Sequence, residues 1–228
     1  GGLTLASVQD DAPYTYAGAN GKSVNNYDRR YRGFTTLREA ITDSINIVTV
    51  KTLAQAGVSL GWQYVQEYGF TTVDSRDMNE ALALGGITQG VSNLELTAAY
   101  AAIANQGTYT RPVFYSKVVD SNGRILLDNT TPTTHTVLKS STASLLTQGM
   151  TSVITEGTGK ACALTDGMPV SGKTGTTSSA YDLWFCGYTP YLTASIWTGY
   201  DENKELGSDQ AYHERLWSKI MSQIDQVK

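Results

Sequence analysis

The sequence predicts an α+β fold in which helices pack against an antiparallel sheet. Helix signals, among them two capping boxes, are concentrated in the first half of the chain. Strand-like runs separated by short turn segments lie close together in the last third. This order favours one antiparallel sheet covered by helices over the regular strand–helix alternation of a parallel sheet.

The composition is that of a folded domain. The chain has 228 residues, of which 40% are hydrophobic and 17% are charged, and we predict one domain over 1–228. The net charge of −4 and the lack of a basic cluster argue against nucleic acid as a partner. No apolar run reaches the ~18 residues of a membrane-spanning helix. The opening Gly-Gly-Leu-Thr-Leu carries no signal peptide and resembles the middle of a longer gene product.

The cysteines and histidines predict neither a disulfide framework nor a metal site. Cys162 and Cys186 are too few for a framework and are not spaced as metal ligands. Each is predicted to be a small buried residue, although a bridge is possible in an oxidising compartment. His135 and His213 lie in polar surroundings and are predicted at the surface. We therefore expect no metal and no cofactor.

Helices dominate the predicted elements of the first half. Residues 1–34 predict an irregular, partly extended segment, with a polar surface loop at 25–33. Capping boxes, a Ser or Thr followed three residues later by Glu, begin at Thr36 and Ser92. The predicted helices, with a loop over 70–90, are 37–42, 46–56, 59–68 and 93–105.

Ser44 and Asn46 lie at the junction of the first two predicted helices. At such a junction both side chains can project from the turn and need not lie along a helix face. The alternative is plain N-capping, because Ser and Asn are preferred at helix N-termini. The residues alone leave both interpretations open.

The second half predicts strands and two helices. A hairpin is predicted from strands at 111–119 and 124–127 around the turn signal Asp120-Ser-Asn-Gly. The closing helix is predicted to bury a stripe formed by Leu216, Ile220 and Ile224. In order, the remaining elements are a loop at 129–134, a helix at 141–154, strands at 170–176, 183–188 and 192–199, and the closing helix at 212–224.

The stretch Met-Pro-Val-Ser-Gly-Lys-Thr-Gly-Thr-Thr at 168–177 has the composition of an anion receptor. Lys173 supplies positive charge, and the hydroxyls of Thr174 and Thr176 supply directed donors. Gly172 and Gly175 let a ligand approach the main chain. The anion could be a carboxylate or a phosphate.

Two interpretations compete for this stretch. Residues 167–174 satisfy the P-loop pattern G-x-x-x-x-G-K-[ST], but a P-loop needs a strand before it and a helix starting at the lysine. Here the preceding segment is turn-like, Pro169 lacks an N–H, and poor helix formers follow Thr174. The favoured alternative is a strand whose free edge pairs with an extended peptide, while Lys173, Thr174 and Thr176 hold the peptide's terminal carboxylate.

With these motifs in order, the chain resembles the transpeptidase domain of class A penicillin-binding proteins, in the serine β-lactamase-like superfamily. Ser44-Ile-Asn46 resembles the S-x-N motif of that family, and Lys173-Thr-Gly-Thr resembles its K-T-G strand. The resemblance runs from end to end. Its blocks are 31–41, 44–46, 82–86, 94–107, 157–161, 172–177, 182–190 and 213–221.

The resemblance implies a reaction and a set of roles. A serine attacks the D-Ala-D-Ala carbonyl of a peptidoglycan stem peptide, and an amine resolves the acyl-enzyme into a cross-link; β-lactams acylate the same serine. Ser44 would relay protons, Asn46 would bind the substrate amide, and Lys173 would lie near Ser44 and supply positive potential. Thr174 and Thr176 would bind the carboxylate, with Gly175 between them, and the Thr176 N–H would form half of an oxyanion hole. The site would act on the extracytoplasmic face of the plasma membrane.

One departure from the family pattern is large. The family's nucleophile lies in a Ser-x-x-Lys motif upstream of S-x-N, and no serine here has a lysine three residues later. We therefore expect the nucleophile, its helix and a membrane anchor in an N-terminal segment absent from this sequence, so that the fold is incomplete and the chain alone is inactive. The alternatives are a non-catalytic relative that binds stem peptides or β-lactams and, more distantly, a P-loop NTPase.

Overall fold

The computed structural model describes residues 2–17 and 21–225 and has the predicted α+β architecture. The helices are α1 (Leu37–Thr42), α2 (Asn46–Ala56), α3 (Val58–Glu67), α4 (Asn93–Ala104), α5 (Ser140–Thr155) and α6 (Tyr212–Asp225). The strands are β1 (Val8–Asp11), β2 (Tyr14–Thr15), β3 (Ser23–Val24), β4 (Gly33–Thr36), β5 (Thr108–Thr110), β6 (Lys117–Val119), β7 (Ile125–Asp128), β8 (Thr134–Thr136), β9 (Ser171–Thr176), β10 (Asp182–Tyr188) and β11 (Thr193–Gly199).

The three predicted late strands form one antiparallel sheet in the order β11-β10-β9. Lys173 on β9 lies opposite Cys186 on β10, and Thr174 lies opposite Phe185. Among the described residues β9 is one of the two edge strands of this sheet, and α5 packs against it. The predicted free edge at the Lys173 strand is therefore confirmed for the described part of the chain.

A buried core joins the sheet to α5 and α6. Phe185 of β10 and Trp217 of α6 meet edge to face, with ring centroids 4.9 Å apart. Both side chains are fully buried, as is Val153 of α5. Burying side chains of this size contributes about 1.5–3 kcal/mol each, so this contact fixes α6 on the sheet.

Local signals place α1 and α4 as predicted. Glu39 Oε2 accepts from the Thr36 N–H at 2.8 Å, and Thr36 Oγ1 accepts from the Glu39 N–H at 3.2 Å, which completes the capping box. The same reciprocal pair joins Ser92 and Glu95 at the start of α4. Each box satisfies two of the N–H groups that a helix start leaves without partners.

Three predicted elements differ in the structure. The strand predicted over 111–119 is wrong for most of its length, since β6 begins at Lys117; Pro112 lacks the N–H that a paired strand needs. Within the predicted loop at 70–90, two 3₁₀ turns form at Ser75–Asp77 and Glu80–Leu84 because Asp74 and Asn79 cap them. Part of the predicted 129–134 loop pairs instead, since β8 begins at Thr134.

The buried face of α6 is also different from the predicted one. Ile220 and Ile224 are 42% and 41% exposed, whereas Trp217 and Met221 are buried. His213, predicted at the surface, is 1% exposed, and its Nε2 donates to the Trp184 carbonyl oxygen at 3.1 Å. Burial lowers the pKa of this imidazole. The face of α6 that packs on the sheet therefore carries His213, Trp217 and Met221, and not Ile220 and Ile224.

The remaining cysteine and histidine predictions are settled by burial. Cys162 and Cys186 are both buried free thiols, so the interpretation as small core residues is confirmed and no bridge joins them. Burial raises the pKa of both thiols. His135 is exposed, as predicted.

Candidate active site

The structure brings Ser44 and Lys173 together. Lys173 Nζ donates to Ser44 Oγ at 2.8 Å and to the Thr174 carbonyl oxygen at 3.1 Å. Ser44 lies between α1 and α2 with φ at 55°, in the left-handed region. This turn points the hydroxyl of Ser44 at β9, so the projecting interpretation of the junction is confirmed for Ser44.

Burial controls the charge on Lys173. The side chain is partly buried, and loss of solvent lowers its pKa to about 8, while the Glu214 carboxylate opposes that change. Glu214 on α6 is itself buried, which raises its pKa to about 7 against the opposing charges of Arg215 and Lys173. A lysine with a pKa of about 8 exchanges protons readily near neutral pH.

Asn46 is held by the N-terminal segment. Its Nδ2 donates to the Asn25 carbonyl oxygen at 2.8 Å. Asn46 takes no part in the hydrogen bond between Ser44 and Lys173. The N-cap of α2 is Ile45, which makes no side-chain capping bond, so the plain N-capping alternative is wrong. The contact with Asn25 leaves the side-chain Oδ1 of Asn46 and the second hydrogen of its side-chain amide available for another partner.

A buried polar cluster that contacts the residue after Asn46 was not predicted from the sequence. Asn26 Oδ1 accepts from the Ile47 N–H at 3.2 Å, and Asn26 Nδ2 donates to both carboxylate oxygens of Asp11 at 2.8 and 3.0 Å. Asp11 is fully buried and also accepts from the Arg32 N–H at 3.0 Å. Asn26 is 3% exposed, so the predicted surface loop is wrong at this residue. Its polar neighbours gave no sign of the burial.

The residues after Lys173 present hydroxyls along β9. Thr174 is partly buried, and its Oγ1 lies 2.7 Å from Thr158 Oγ1. Thr176 is exposed, and Gly175 between them lies against the Trp184 side chain. Thr158 belongs to the Gly157-Thr-Gly block of the resemblance, but sequence reasoning gave it no role.

Gly172 explains the close packing beneath Lys173. A Cβ at this position would lie 2.6 Å from the Phe185 ring and 2.8 Å from the Cys186 carbonyl oxygen. Glycine therefore lets β9 sit tightly on β10. Lys173 lies within this strand, and the short 3₁₀ turn at Ser178–Ala180 follows it, so the P-loop interpretation, which needs a helix at the lysine, is wrong.

The structure has an antiparallel sheet with an edge K-T-G strand, and an S-x-N serine bonded to the lysine of that strand. These features are the ones expected of the penicillin-binding transpeptidase class. The family model described as penicillin binding protein transpeptidase domain matches residues 1–222. The chain belongs to this family, and the expected class A relationship is confirmed by its relatives.

Those relatives are considerably longer than the chain. Penicillin-binding protein 1A of Clostridium acetobutylicum is 38% identical over 207 residues, which cover 90% of this chain and 25% of that protein. Penicillin-binding protein 1F of Bacillus subtilis is 38% identical over 211 residues, covering 89% of this chain and 29% of that protein. The chain thus spans about a quarter of the length of the curated relatives it matches.

Solved structures share the fold. The crystal structure of penicillin-binding protein 1A from Haemophilus influenzae is 24% identical, with a TM-score of 0.81 over 100% of this chain and 40% of that one. PonA1 from Mycobacterium tuberculosis is 21% identical, with a TM-score of 0.84 over 100% of this chain and 64% of that one. In the part of the chain that the structure describes, no helix has both the length and the apolar character needed to cross a bilayer.

Proposed function

We propose that this chain forms the substrate-binding part of a D,D-transpeptidase that cross-links peptidoglycan stem peptides through a serine acyl-enzyme. The observation that carries the proposal is the 2.8 Å hydrogen bond from Lys173 to Ser44, which joins the two family motifs. PonA1 has been solved in complex with penicillin V, and by family membership we extend β-lactam binding to this chain.

Ser44 and Lys173 would handle the proton of the leaving group. In acylation, a nucleophilic serine would pass its hydroxyl proton to the lysine of its Ser-x-x-Lys motif and bond to the carbonyl carbon of the penultimate D-Ala, and the bond from that carbon to the nitrogen of the terminal D-Ala would break. The departing amine needs a proton, which Ser44 Oγ–H can donate and Lys173 can replace. An acceptor amine then attacks the ester carbonyl and forms the cross-link, and the proton that the amine loses goes to the serine oxygen as the ester bond breaks.

The β9 residues would hold the substrate's C-terminus. Lys173 supplies positive charge, and the hydroxyls of Thr174 and Thr176 supply donors for the terminal carboxylate. The Thr176 N–H would stabilise the developing oxyanion. Asn46, with one amide hydrogen committed to Asn25, would bind the substrate amide through its remaining groups.

The nucleophile would come from a Ser-x-x-Lys segment outside these 228 residues, since no serine in the sequence has a lysine three residues later. We extend the same proposal to the anchor that would hold the site at the extracytoplasmic face of the plasma membrane. The domain over 1–228 would then be completed by that N-terminal segment.

The test is the intact mass of the protein after incubation with excess benzylpenicillin. We expect no adduct on the isolated chain and one adduct when the chain is joined to its Ser-x-x-Lys segment, located on that serine. An adduct on Ser44 of the isolated chain would contradict the assigned roles. Absence of an adduct from both proteins would instead favour the non-catalytic alternative.

A further inference from the structure

We propose that Thr158 is a positioning residue for the hydroxyl of Thr174, an inference that rests on the function proposed above. Thr158 Oγ1 lies 2.7 Å from Thr174 Oγ1, and both side chains are partly buried. Thr174 follows Lys173 directly on β9. A residue that fixes the direction of the Thr174 hydroxyl acts on substrate recognition without touching the substrate.

The end of α1 fixes the backbone of Thr158. The Thr158 N–H donates to the Thr42 carbonyl oxygen at 3.2 Å. Thr42 is the last residue of α1, so the helix itself supplies no N–H partner for that oxygen. A Cβ on Gly157 would lie 2.2 Å from the same oxygen, so only glycine lets this loop approach Thr42 so closely.

Thr158 thereby joins two parts of the candidate site that are distant in sequence. One contact holds Thr42, two residues before Ser44, and the other holds Thr174, one residue after Lys173. These two contacts connect the same two segments that the direct 2.8 Å hydrogen bond between Lys173 and Ser44 connects. The loop after α5 therefore helps to set the position of β9 relative to the S-x-N turn.

Hydroxyl chemistry gives the bond its direction. A threonine hydroxyl has one hydrogen to donate and two lone pairs to accept. For Thr174 to donate to a substrate carboxylate, it must accept from Thr158 and keep its own hydrogen free. A chain from Thr158 to Thr174 to the carboxylate polarises the second bond and favours a charged acceptor. A ligand without a negative charge gains little from this order.

The experiment uses the chain joined to its Ser-x-x-Lys segment and compares acylation by benzylpenicillin with acylation by its methyl ester. For Thr158→Val we expect the acid-to-ester ratio of second-order rate constants to fall about 3- to 10-fold, as for one lost hydrogen bond. Thr158→Ser keeps the hydroxyl and should stay within about twofold of the wild type. The ratio is measured on one sample and is independent of the folded fraction.

Thr147→Val, on the helix α5 that precedes the Thr158 loop, is the matched control. It also removes a threonine hydroxyl that contacts another hydroxyl, that of Tyr188 at 2.7 Å, and we expect the ratio to stay unchanged. If Thr158→Val and its smaller counterpart Thr158→Ala match Thr147→Val, the inference is overturned and the proposed function stands. If benzylpenicillin does not acylate the wild-type protein, the proposed function fails and the inference fails with it.

Discussion

Ser44 combines backbone strain with the chemistry proposed for its hydroxyl. Its φ of 55° lies in the left-handed region, which costs a non-glycine residue about 1–3 kcal/mol. That conformation places the Ser44 hydroxyl within hydrogen-bonding distance, 2.8 Å, of Lys173 Nζ. A substitution that relieves strain and one that retains it should therefore separate stability from function.

We expect Ser44→Gly to melt at a higher temperature than Ser44→Ala, because glycine adopts the left-handed region freely. Both variants lose the proton relay, so benzylpenicillin acylation of the protein carrying the Ser-x-x-Lys segment should slow by about 10²-fold or more in each. The measurements are thermal unfolding and acylation kinetics on the same preparations. A lower melting temperature for Ser44→Gly would show that the left-handed backbone at Ser44 is not strained.

Lys173 predicts a pH dependence of acylation. Burial lowers its pKa to about 8, so the ammonium needed to attract a carboxylate and supply a proton is lost above that pH. The acylation rate constant should fall by up to about tenfold per pH unit on the alkaline side. Lys173→Arg keeps the charge to above pH ~12, so its alkaline limb should move upward even if its absolute rate is lower.

The pH profile of acylation by benzylpenicillin is measured for each protein. An alkaline limb still near pH 8 in the arginine variant would assign the titration to another group.

The lowered pKa of Lys173 also makes the stability of the protein depend on pH. Because the folded pKa of about 8 is below the ordinary lysine value of 10.5, the unfolded state binds more protons between those values. The free energy of unfolding contributed by this group therefore rises with pH across that window.

At the scale of elements, the start of α2 depends on the buried pair Asp11 and Asn26. Asn26 accepts from the Ile47 N–H, one of the helix-start donors that α2 cannot satisfy itself, and it pairs with both oxygens of a fully buried carboxylate. Removing the amide would leave both the donor and the carboxylate short of a partner. Asn46 lies next to Ile47, so the same change disturbs the S-x-N turn.

We expect Asn26→Ala to lower the free energy of unfolding by about 1–3 kcal/mol, the range for leaving a buried hydrogen-bonding group without its partner. Asn25→Ala is the neighbouring control, because the Asn25 side chain is exposed and only its backbone oxygen holds Asn46. That variant should stay within about 0.5 kcal/mol of the wild type. Urea unfolding measures both, and equal losses would contradict a specific role for Asn26.

At the scale of the whole molecule, what could be predicted follows the range of the interactions. The capping boxes that begin at Thr36 and Ser92 act within one turn, and the three late strands are joined by short segments, so local sequence signals sufficed for them. The pairing of Ser44 with Lys173, 129 residues apart, was expected only through the family resemblance.

The features missed in the core and at the candidate site depend on contacts between distant segments. His213 and Asn26 sit among polar neighbours in the sequence, yet packing against β10 and α2 buries them. Thr158 gains its place from the carbonyl of Thr42 and the hydroxyl of Thr174. The buried stripe of α6 follows the surface of the sheet, which a helical period alone does not specify.

Within the buried face of α6, Trp217 makes the main contact that holds this helix on the sheet. It is 1% exposed, packs edge to face on Phe185, and its Nε1 donates to the Ala194 carbonyl oxygen at 2.9 Å. Trp217→Ala should cost about 3–5 kcal/mol through the lost area and the cavity. The control, Ile220→Ala, changes an exposed residue of the same helix and should cost well under half as much. β10 lies between α6 and β9, so loss of the α6 packing should also disturb the candidate site. We therefore expect Trp217→Ala to lose acylation together with its cooperative thermal transition. Unaltered acylation in a Trp217→Ala protein without α6 packing would show that α5 and β9 alone hold the site.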